Sequence, residues 1–357
     1  MISAFLLMYA AIELPGSMIG ALVWWVPLFM QSRYEKLSFW QGFFWGLIVF
    51  GFYLSWLGCM LVQHAGWRGL LVWAMSVVWF SSASGLWFLG TGYSWILSTV
   101  LFFLFLTRLS LLPCGVAEGY CLLNPILPFF SSSCDEKIAN ELIFIQPWWY
   151  GNKNPMFVGY RMVDALNDCI LQYPNAHAIV MPESTFCFDL HEYEKFISIW
   201  SDGLEGKTIL LGTHRKFGNG YLNSVVAICD GKIQKVYDKQ HLMPFVERVP
   251  NCFELLGCAH LFLKSREQAI PQKGDDVFII GQESYQVFVC SELFFQTKKV
   301  KGLPIIFLWN DAWLQFCWTQ KLALKFVHYF AWLHGVAVIH ASTQGRTNLC
   351  RCVQPCK

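Results

Sequence analysis

The sequence predicts a two-part chain: an N-terminal transmembrane helical region followed by an α/β domain of the α-β-β-α sandwich class. Three observations predict it. Charge is segregated: residues 1–107 carry only Glu13, Arg33, Glu35, Lys36 and Arg68, and every other charged residue lies beyond them. Composition is apolar, with 55% hydrophobic and 14% charged residues and a mean hydropathy of +0.41, where an ordinary soluble domain has about 25% charged residues. Beyond residue 139 the pattern turns to short apolar runs separated by turns and by segments of helical period. The net charge of +2 is uninformative, but no basic stretch is interleaved with aromatics, so no nucleic-acid partner is expected. The 17 tryptophans and 31 phenylalanines suit a bilayer or a lipid ligand.

Residues 1–113 form the transmembrane region. The stretch 1–30 is almost uncharged and is interrupted by Glu13-Leu14-Pro15-Gly16. A span needs about 20 apolar residues, so two readings stand here: one span over 14–30 after an interfacial arm, or two short helices meeting at Pro15-Gly16. No basic start precedes the apolar run, which argues against a cleaved signal peptide. After the polar loop Arg33-Tyr34-Glu35-Lys36, residues 37–61 read as a span whose glycines permit close helix packing. Residues 69–90 and 93–113 read as two more, joined at Thr91-Gly92. Arg33 and Lys36 place their loop in the cytoplasm, which puts everything after Pro113 outside it. Residues 114–138, rich in Pro, Gly and Ser, form a connector.

Residues 139–349 form the α/β domain. Strands are expected at 141–146, 178–181, 207–212, 304–309 and 336–341. Helices are expected at 158–173, 192–204 and 319–333, the first from the 3.6-residue spacing of Val158, Met162, Ala165, Leu166, Cys169 and Ile170. Asp230-Gly231 between runs 221–229 and 232–237 signals a hairpin, and runs 278–280 and 285–289 pair next. Residues 350–357 read as a tail.

Three strand ends deliver chemistry. The run 284–289 ends in Cys290-Ser291-Glu292, which sets a thiol on a rigid edge where a nucleophile is useful. A lone cysteine is more often a small buried hydrophobe. This one has company. The run ending Met181-Pro182-Glu183 presents a carboxylate, and the proline-broken loop after Tyr237 carries Lys239 and Glu247. A carboxylate can take the thiol proton, a lysine can hold a developing oxyanion, and the sulfur can attack a carbonyl. His241 reads as orienting its loop, and Asn223 and Ser224 are given no role. Among the 14 cysteines, Cys350, Cys352 and Cys356 cluster near the end, but no histidine pair or second C-x-x-C completes a metal site, so no metal is expected.

Glu183, Lys239 and Cys290 resemble the Glu-Lys-Cys triad of the nitrilase (carbon–nitrogen hydrolase) superfamily. The fourteen-residue run from Tyr237 to Pro250 reads Tyr-x-Lys-x-His-Leu-x-Pro-Phe-x-Glu-x-x-Pro. With Cys290-Ser291-Glu292 and Asn310-Asp311-Ala312-Trp313, it is similar to the motifs of the apolipoprotein N-acyltransferase family. The resemblance covers roughly residues 140–349. It implies a nitrilase-like sandwich, with catalytic Glu183, Lys239 and Cys290, supporting Glu247 and Glu292, and a pocket walled by Ser291, Asn310 and Trp313. It implies a phospholipid acyl donor, a lipid-modified lipoprotein acceptor, no cofactor, and a multi-pass protein of the bacterial inner membrane with its catalytic domain in the periplasm. No apolar stretch follows the domain before Lys357, so a shortened member is expected. Alternatives stay open: a same-triad relative with another acceptor or a conjugal-transfer role, or a truncated non-catalytic paralogue.

Overall fold

Among the N-terminal helices, the sequence sets the ends by capping and the contacts by small residues. The computed structural model describes residues 1–4, 26–91, 94, 97–98, 142–149, 151–243, 246–249, 269–272, 274–295, 298–312, 317–343 and 351–353. The expected span 93–113, the connector 114–138 and Trp313 therefore lie outside the described residues, apart from isolated positions of the first. The chain divides into two units. One takes Met1–Ser131, Met243–Lys264 and Leu314–Phe326; the other takes Ser132–Leu242, Ser265–Trp313 and Val327–Lys357.

The first unit holds α1 (Val26–Tyr34), α2 (Phe39–Tyr53), α3 (Ser55–Ala65) and α4 (Trp67–Thr91). Ser38 and Gln41 form a capping box that starts α2: Gln41 N–H donates to Ser38 Oγ (3.2 Å) and Ser38 N–H to Gln41 Oε1 (2.8 Å). The span expected over 37–61 is bent: the helix breaks at Leu54, and the segments on either side, which are long and apolar enough only when taken together, meet at 58°. The 15 residues of α2 reach about 22 Å, short of a hydrocarbon core of about 30 Å. In contrast, the 25 residues of α4 are long and apolar enough to cross a membrane.

α2 and α4 pack through their smallest residues. A Cβ on Gly42 would lie 2.4 Å from the Ser84 carbonyl oxygen, and one on Gly46 would lie 2.6 Å from Ser81 Cα. On α4, Gly85 faces the Phe39 ring just as closely (2.6 Å). Gly42 and Gly46 are four residues apart, the spacing that lets helix backbones touch without hydrophobic drive. The buried serines of α4 satisfy themselves on their own helix: Ser76, Ser81 and Ser84 donate to the carbonyls of Val72, Val77 and Phe80. Leu70, Leu71, Met75, Val78, Trp79, Leu86 and Leu89 leave an exposed apolar face on the same helix.

The second unit is built on two sheets. The first has the order β1-β2-β4-β5-β6, with β3 also paired to β4; the second has the order β11-β10-β9-β8-β7. Their strands are β1 (Leu142–Phe144), β2 (Ala178–Val180), β3 (Phe186–Asp189), β4 (Thr208–Phe217), β5 (Gly220–Cys229), β6 (Lys232–Asp238), β7 (Val277–Ile280), β8 (Glu283–Val289), β9 (Ile305–Trp309), β10 (Val338–Ser342) and β11 (Arg351–Val353). β1, β2 and β4 run parallel, as do β8, β9 and β10. Asp230 and Gly231, at φ +49° and +70°, make the hairpin between β5 and β6.

Helices α5 (Pro155–Gln172) and α6 (Glu194–Ser201) cover the outer face of the first sheet. Asn154 caps α5 through Met156 N–H and Phe157 N–H, with Pro155 in the first turn. Val158, Met162 and Leu166 bury against Ile179, Met181, Ile209, Leu211, Val226 and Ile228. The alternate strand residues Ala178, Val180, Leu210 and Val225 are equally buried and face the opposite way. A sheet covered on both sides is why these strands read as unbroken apolar runs. On the second sheet, Phe330 of α8 (Cys317–His334) meets Phe288 of β8 edge to face at 5.9 Å. The short α7 (Ser291–Phe295) follows β8.

Three expectations need correction. The helix expected over 192–204 begins at Glu194, because Asp189 caps a 3-10 turn at Leu190–Tyr193 and β3 precedes it. The strand expected over 207–212 continues past Gly212 to Phe217, since β5 pairs with it along its whole length. The expected tail contributes Arg351–Val353 as an edge strand antiparallel to β10, while Cys350 and Cys356 lie outside the described residues.

Candidate active site

The Glu183, Lys239 and Cys290 segments converge through backbone geometry at the ends of β2, β6 and β8. Glu183 follows β2 by way of Met181 and Pro182. A Cβ at Gly212 would stand 2.5 Å from Ser184 N and 2.6 Å from Glu183 Cα. Only a glycine lets β4 approach the Glu183 turn so closely. The next residue, Ser184, is held at φ +55°, and its hydroxyl is 3.1 Å from His214 Nε2. Left-handed backbone in a non-glycine residue costs roughly 1–3 kcal/mol and concentrates where geometry matters.

Glu183 and Lys239 form a buried ion pair, 3.1 Å from Lys239 Nζ to Glu183 Oε1. The same oxygen accepts from Asn223 Nδ2 (2.8 Å), and Oε2 accepts from the backbone N–H of Asn310 (3.0 Å). Three donors thus fix the carboxylate's orientation. Asn223 also accepts Lys239 N–H on its carbonyl (2.8 Å), so one residue of β5 holds both partners of the pair. Giving Asn223 no role was wrong. It lies inside β5, and a buried amide in an apolar strand must have a partner, which is the signal that could have marked it. Its neighbour Ser224 is structural, donating to Asp238 Oδ1 (2.6 Å) beside the Arg215–Asp238 ion pair.

Cys290 is buried, at φ +45°, between β8 and α7. Its N–H donates to the Leu308 carbonyl (2.9 Å), so it ends the β8–β9 ladder opposite the end of β9. Two residues past Leu308, Asn310 N–H holds Glu183. The β8–β9 pairing is therefore what brings the thiol's strand end and the carboxylate's strand end to one place. A second thiol near Glu183, Cys187, donates to the Ser184 carbonyl (2.9 Å). Desolvation, with the Glu183 charge, pushes it up to about 12.

The other expected residues fall out as follows. Glu292 is fully buried; its Oε1 accepts from Tyr237 Oη (2.6 Å) and Gln240 N–H (2.7 Å), and its Oε2 from Val289 N–H (3.0 Å). Ser291 Oγ donates to the His241 carbonyl (2.6 Å). The loop carrying Lys239 is thus tied to the turn carrying Cys290 on two residues of that turn. Desolvation holds His241 below its usual range, so it is neutral near pH 7. Asn310 is followed by Asp311, whose Oδ1 accepts from Thr343 Oγ1 (2.7 Å), and that hydroxyl lies 3.2 Å from Asn310 Oδ1. Glu247 belongs to the first unit, where its carboxylate accepts from Met243 N–H (2.7 Å) and its N–H donates to the Met243 carbonyl (2.9 Å). Sequence reading missed Lys298 and Asp276, a buried pair at 3.1 Å. In Lys298-Lys299-Val300-Lys301 the first lysine reads as one more solvated charge.

No family model matches the chain. Two curated relatives are apolipoprotein N-acyltransferases. That of Allorhizobium ampelinum is 31% identical over 191 residues, covering 48% of this chain and 35% of that one. That of Campylobacter jejuni is 27% identical over 190 residues, covering 52% and 42%. The chain spans well under half the length of these relatives. Among solved structures, a carbon–nitrogen hydrolase from Helicobacter pylori superimposes with a TM-score of 0.43 at 16% identity, covering 57% of this chain and 73% of that one. A CN-hydrolase superfamily protein from Xanthomonas campestris gives 0.39 at 14%, covering 55% and 74%. By its sequence matches, the chain is similar to apolipoprotein N-acyltransferases over about half of its length.

Proposed function

We propose that this chain is a membrane acyltransferase that moves a fatty acyl chain from a phospholipid to the N-terminal amine of a lipid-modified lipoprotein, through a thioester on Cys290. The observation that carries the reading is the buried Glu183–Lys239 pair held by Asn310 at the end of β9, where the strained Cys290 turn also ends its ladder. In the first half-reaction Cys290 Sγ attacks the ester carbonyl carbon and Glu183 takes the thiol proton. Lys239, with the Ser291 N–H, stabilises the oxyanion. The carbon–oxygen bond then breaks, and Glu183 returns the proton to the departing lysophospholipid oxygen. In the second, the acceptor amine attacks the thioester, the carbon–sulfur bond breaks, and the amine's proton passes through Glu183 to the thiolate. Glu292 supports the Lys239 loop through Tyr237 and Gln240, and Asn310 orients Glu183.

The setting proposed is the bacterial inner membrane, with several spans and the catalytic domain in the periplasm. The apolar α4 supports it, as do Arg33 in the last turn of α1 and Lys36 just beyond it. A reporter active only after export, fused after residue 140, is expected to be active; activity of a cytoplasm-only reporter there would reverse the orientation. Gly212→Ala is expected to cut turnover about 100-fold by displacing Glu183, since a shift of about 1 Å at a catalytic group costs that much. Assayed on labelled phospholipid, an unchanged rate would mean that the Glu183 turn tolerates the shift. The whole reading is tested by complementation of a cell depleted of its own apolipoprotein N-acyltransferase. Rescue by the wild type and none by Cys290→Ala is expected. No rescue from a chain that still acquires an acyl label would point to a different acceptor.

A further inference from the structure

We propose that Lys298 is a positioning residue for this site, acting through Glu292 to set the spacing between the loop of Lys239 and the turn of Cys290. The inference rests on the acyl-transfer reading above and extends it to residues outside the triad. One carboxylate carries the link. Glu292 takes Tyr237, two residues before Lys239, and Gln240, the residue after it, on one oxygen; it takes Val289, the residue before Cys290, on the other. A carboxylate can accept all three bonds because it is acceptor-only; a protonated carboxyl would turn an O–H on a donor.

Glu292 has no exposure to water, and a buried carboxylate needs a compensating charge to stay ionised. The groups facing it are Tyr237, His241 and Lys298. Burial, then the Glu292 charge, raises Tyr237, so it is a phenol that donates. His241 is neutral, as above. Among the described residues, Lys298 is then the cation at Glu292, 3.5 Å from its Oε2 and 2.9 Å from Tyr237 Oη. Lys298 is itself fixed from all sides: by the Val287 carbonyl, by Asp276 (3.1 Å), and by the Tyr237 and Phe288 rings at 4.1 and 4.5 Å from their centroids. Asp276 is balanced in turn by Lys301 (2.6 Å). Burial alone would raise Asp276, but Gln286, Lys301 and Lys298 together hold it below the usual carboxylate range. Lys301 also meets Asp275 (3.5 Å), which pairs with Lys235 (2.5 Å), so three carboxylates and three ammonium groups join into one cluster of balanced charge.

The test uses the full chain in phospholipid micelles, with Lys298→Met, Lys298→Arg, Glu292→Gln and the Lys298→Met/Glu292→Gln pair. Two readouts are taken at neutral pH: kcat and KM for acyl transfer from labelled phospholipid, and the rate of Cys290 alkylation by iodoacetamide. Lys298→Met is expected to lower kcat about 100-fold at neutral pH, the scale of a misplaced catalytic group, with KM within about threefold. The double variant should be no slower than Glu292→Gln alone. Losses that multiply in the double variant, or a loss confined to KM, would overturn the proposal. If Lys298→Met does not fold, Lys298→Arg decides: a rate within about tenfold of wild type fits a charge role, and a folded Arg variant as slow as Glu292→Gln contradicts it. Should the wild type transfer no acyl chain, the function proposed above fails. The alkylation rates then decide alone: a change in Lys298→Met that matches Glu292→Gln and is no larger in the double variant supports Lys298, and equal rates in Lys298→Met and wild type overturn it.

Discussion

Lys239→Arg is expected to lose about 100- to 1,000-fold in turnover while keeping the positive charge, the loss typical of removing one oxyanion donor. Lys239 is buried, with its ammonium 3.1 Å from Glu183 and its backbone N–H on Asn223. That niche is shaped for a compact point charge on a flexible stem. A planar guanidinium needs a fork of acceptors and more room, and it would displace either Glu183 or Asn223. Removing the charge altogether, as in Lys239→Met, should do more harm, because it leaves Glu183 buried beside Asn223 and the Asn310 N–H without its ion-pair partner. Breaking such a pair destabilises by about 3–5 kcal/mol. A thermal melt taken beside the assay separates the two effects. Near-wild-type turnover in a folded Lys239→Arg enzyme would remove Lys239 from the oxyanion site.

Cys290→Ser is expected to abolish turnover with little change in stability. Serine has a β-carbon like cysteine, so the left-handed turn at φ +45° is no more strained than before. The Cys290 N–H to Leu308 bond and the ladder it closes are main-chain and survive the change. What changes is the chemistry. An alcohol with a carboxylate base is a far weaker nucleophile than a thiol, and an oxygen ester is a poorer acyl donor to an amine than a thioester. The variant is expected to bind phospholipid, and a stable acyl ester on Ser would be the diagnostic side product by mass spectrometry. Turnover within about tenfold of wild type would contradict a sulfur nucleophile, given that covalent and acid–base contributions of this kind reach roughly 100- to 10,000-fold.

The strand ends that carry Glu183, Lys239 and Cys290 were legible because a run of strand pattern broken by Pro or a charge marks where a strand stops. Glu183, Lys239 and Cys290 all stand at such breaks. The hairpin at Asp230-Gly231 was legible for a related reason, since both residues adopt the positive φ that the turn demands. The supporting shell was not. Asn223 sits within an apolar strand, and its partner Glu183 is 40 residues away, so only the pairing of β2, β4 and β5 brings them together. Lys298 looks solvated in its lysine-rich run, and nothing local says that α7 turns it back under Tyr237. The break in the expected span at 37–61 was also invisible, because Leu54 is an ordinary apolar residue and no proline marks it. The residue that permits the Glu183 turn, Gly212, read instead as the end of a strand, because a glycine in sequence signals a break before it signals a close approach.

The central claim, an acyl chain carried on Cys290, is tested most directly by covalent trapping. Wild-type protein incubated with phospholipid bearing a labelled acyl chain, without acceptor, should carry the label through denaturation. Neutral hydroxylamine should release it, as it releases a thioester, and peptide mapping should place it on Cys290. Cys290→Ala should stay unlabelled under the same conditions. Label that never attaches, or that attaches equally to Cys290→Ala, would contradict the account.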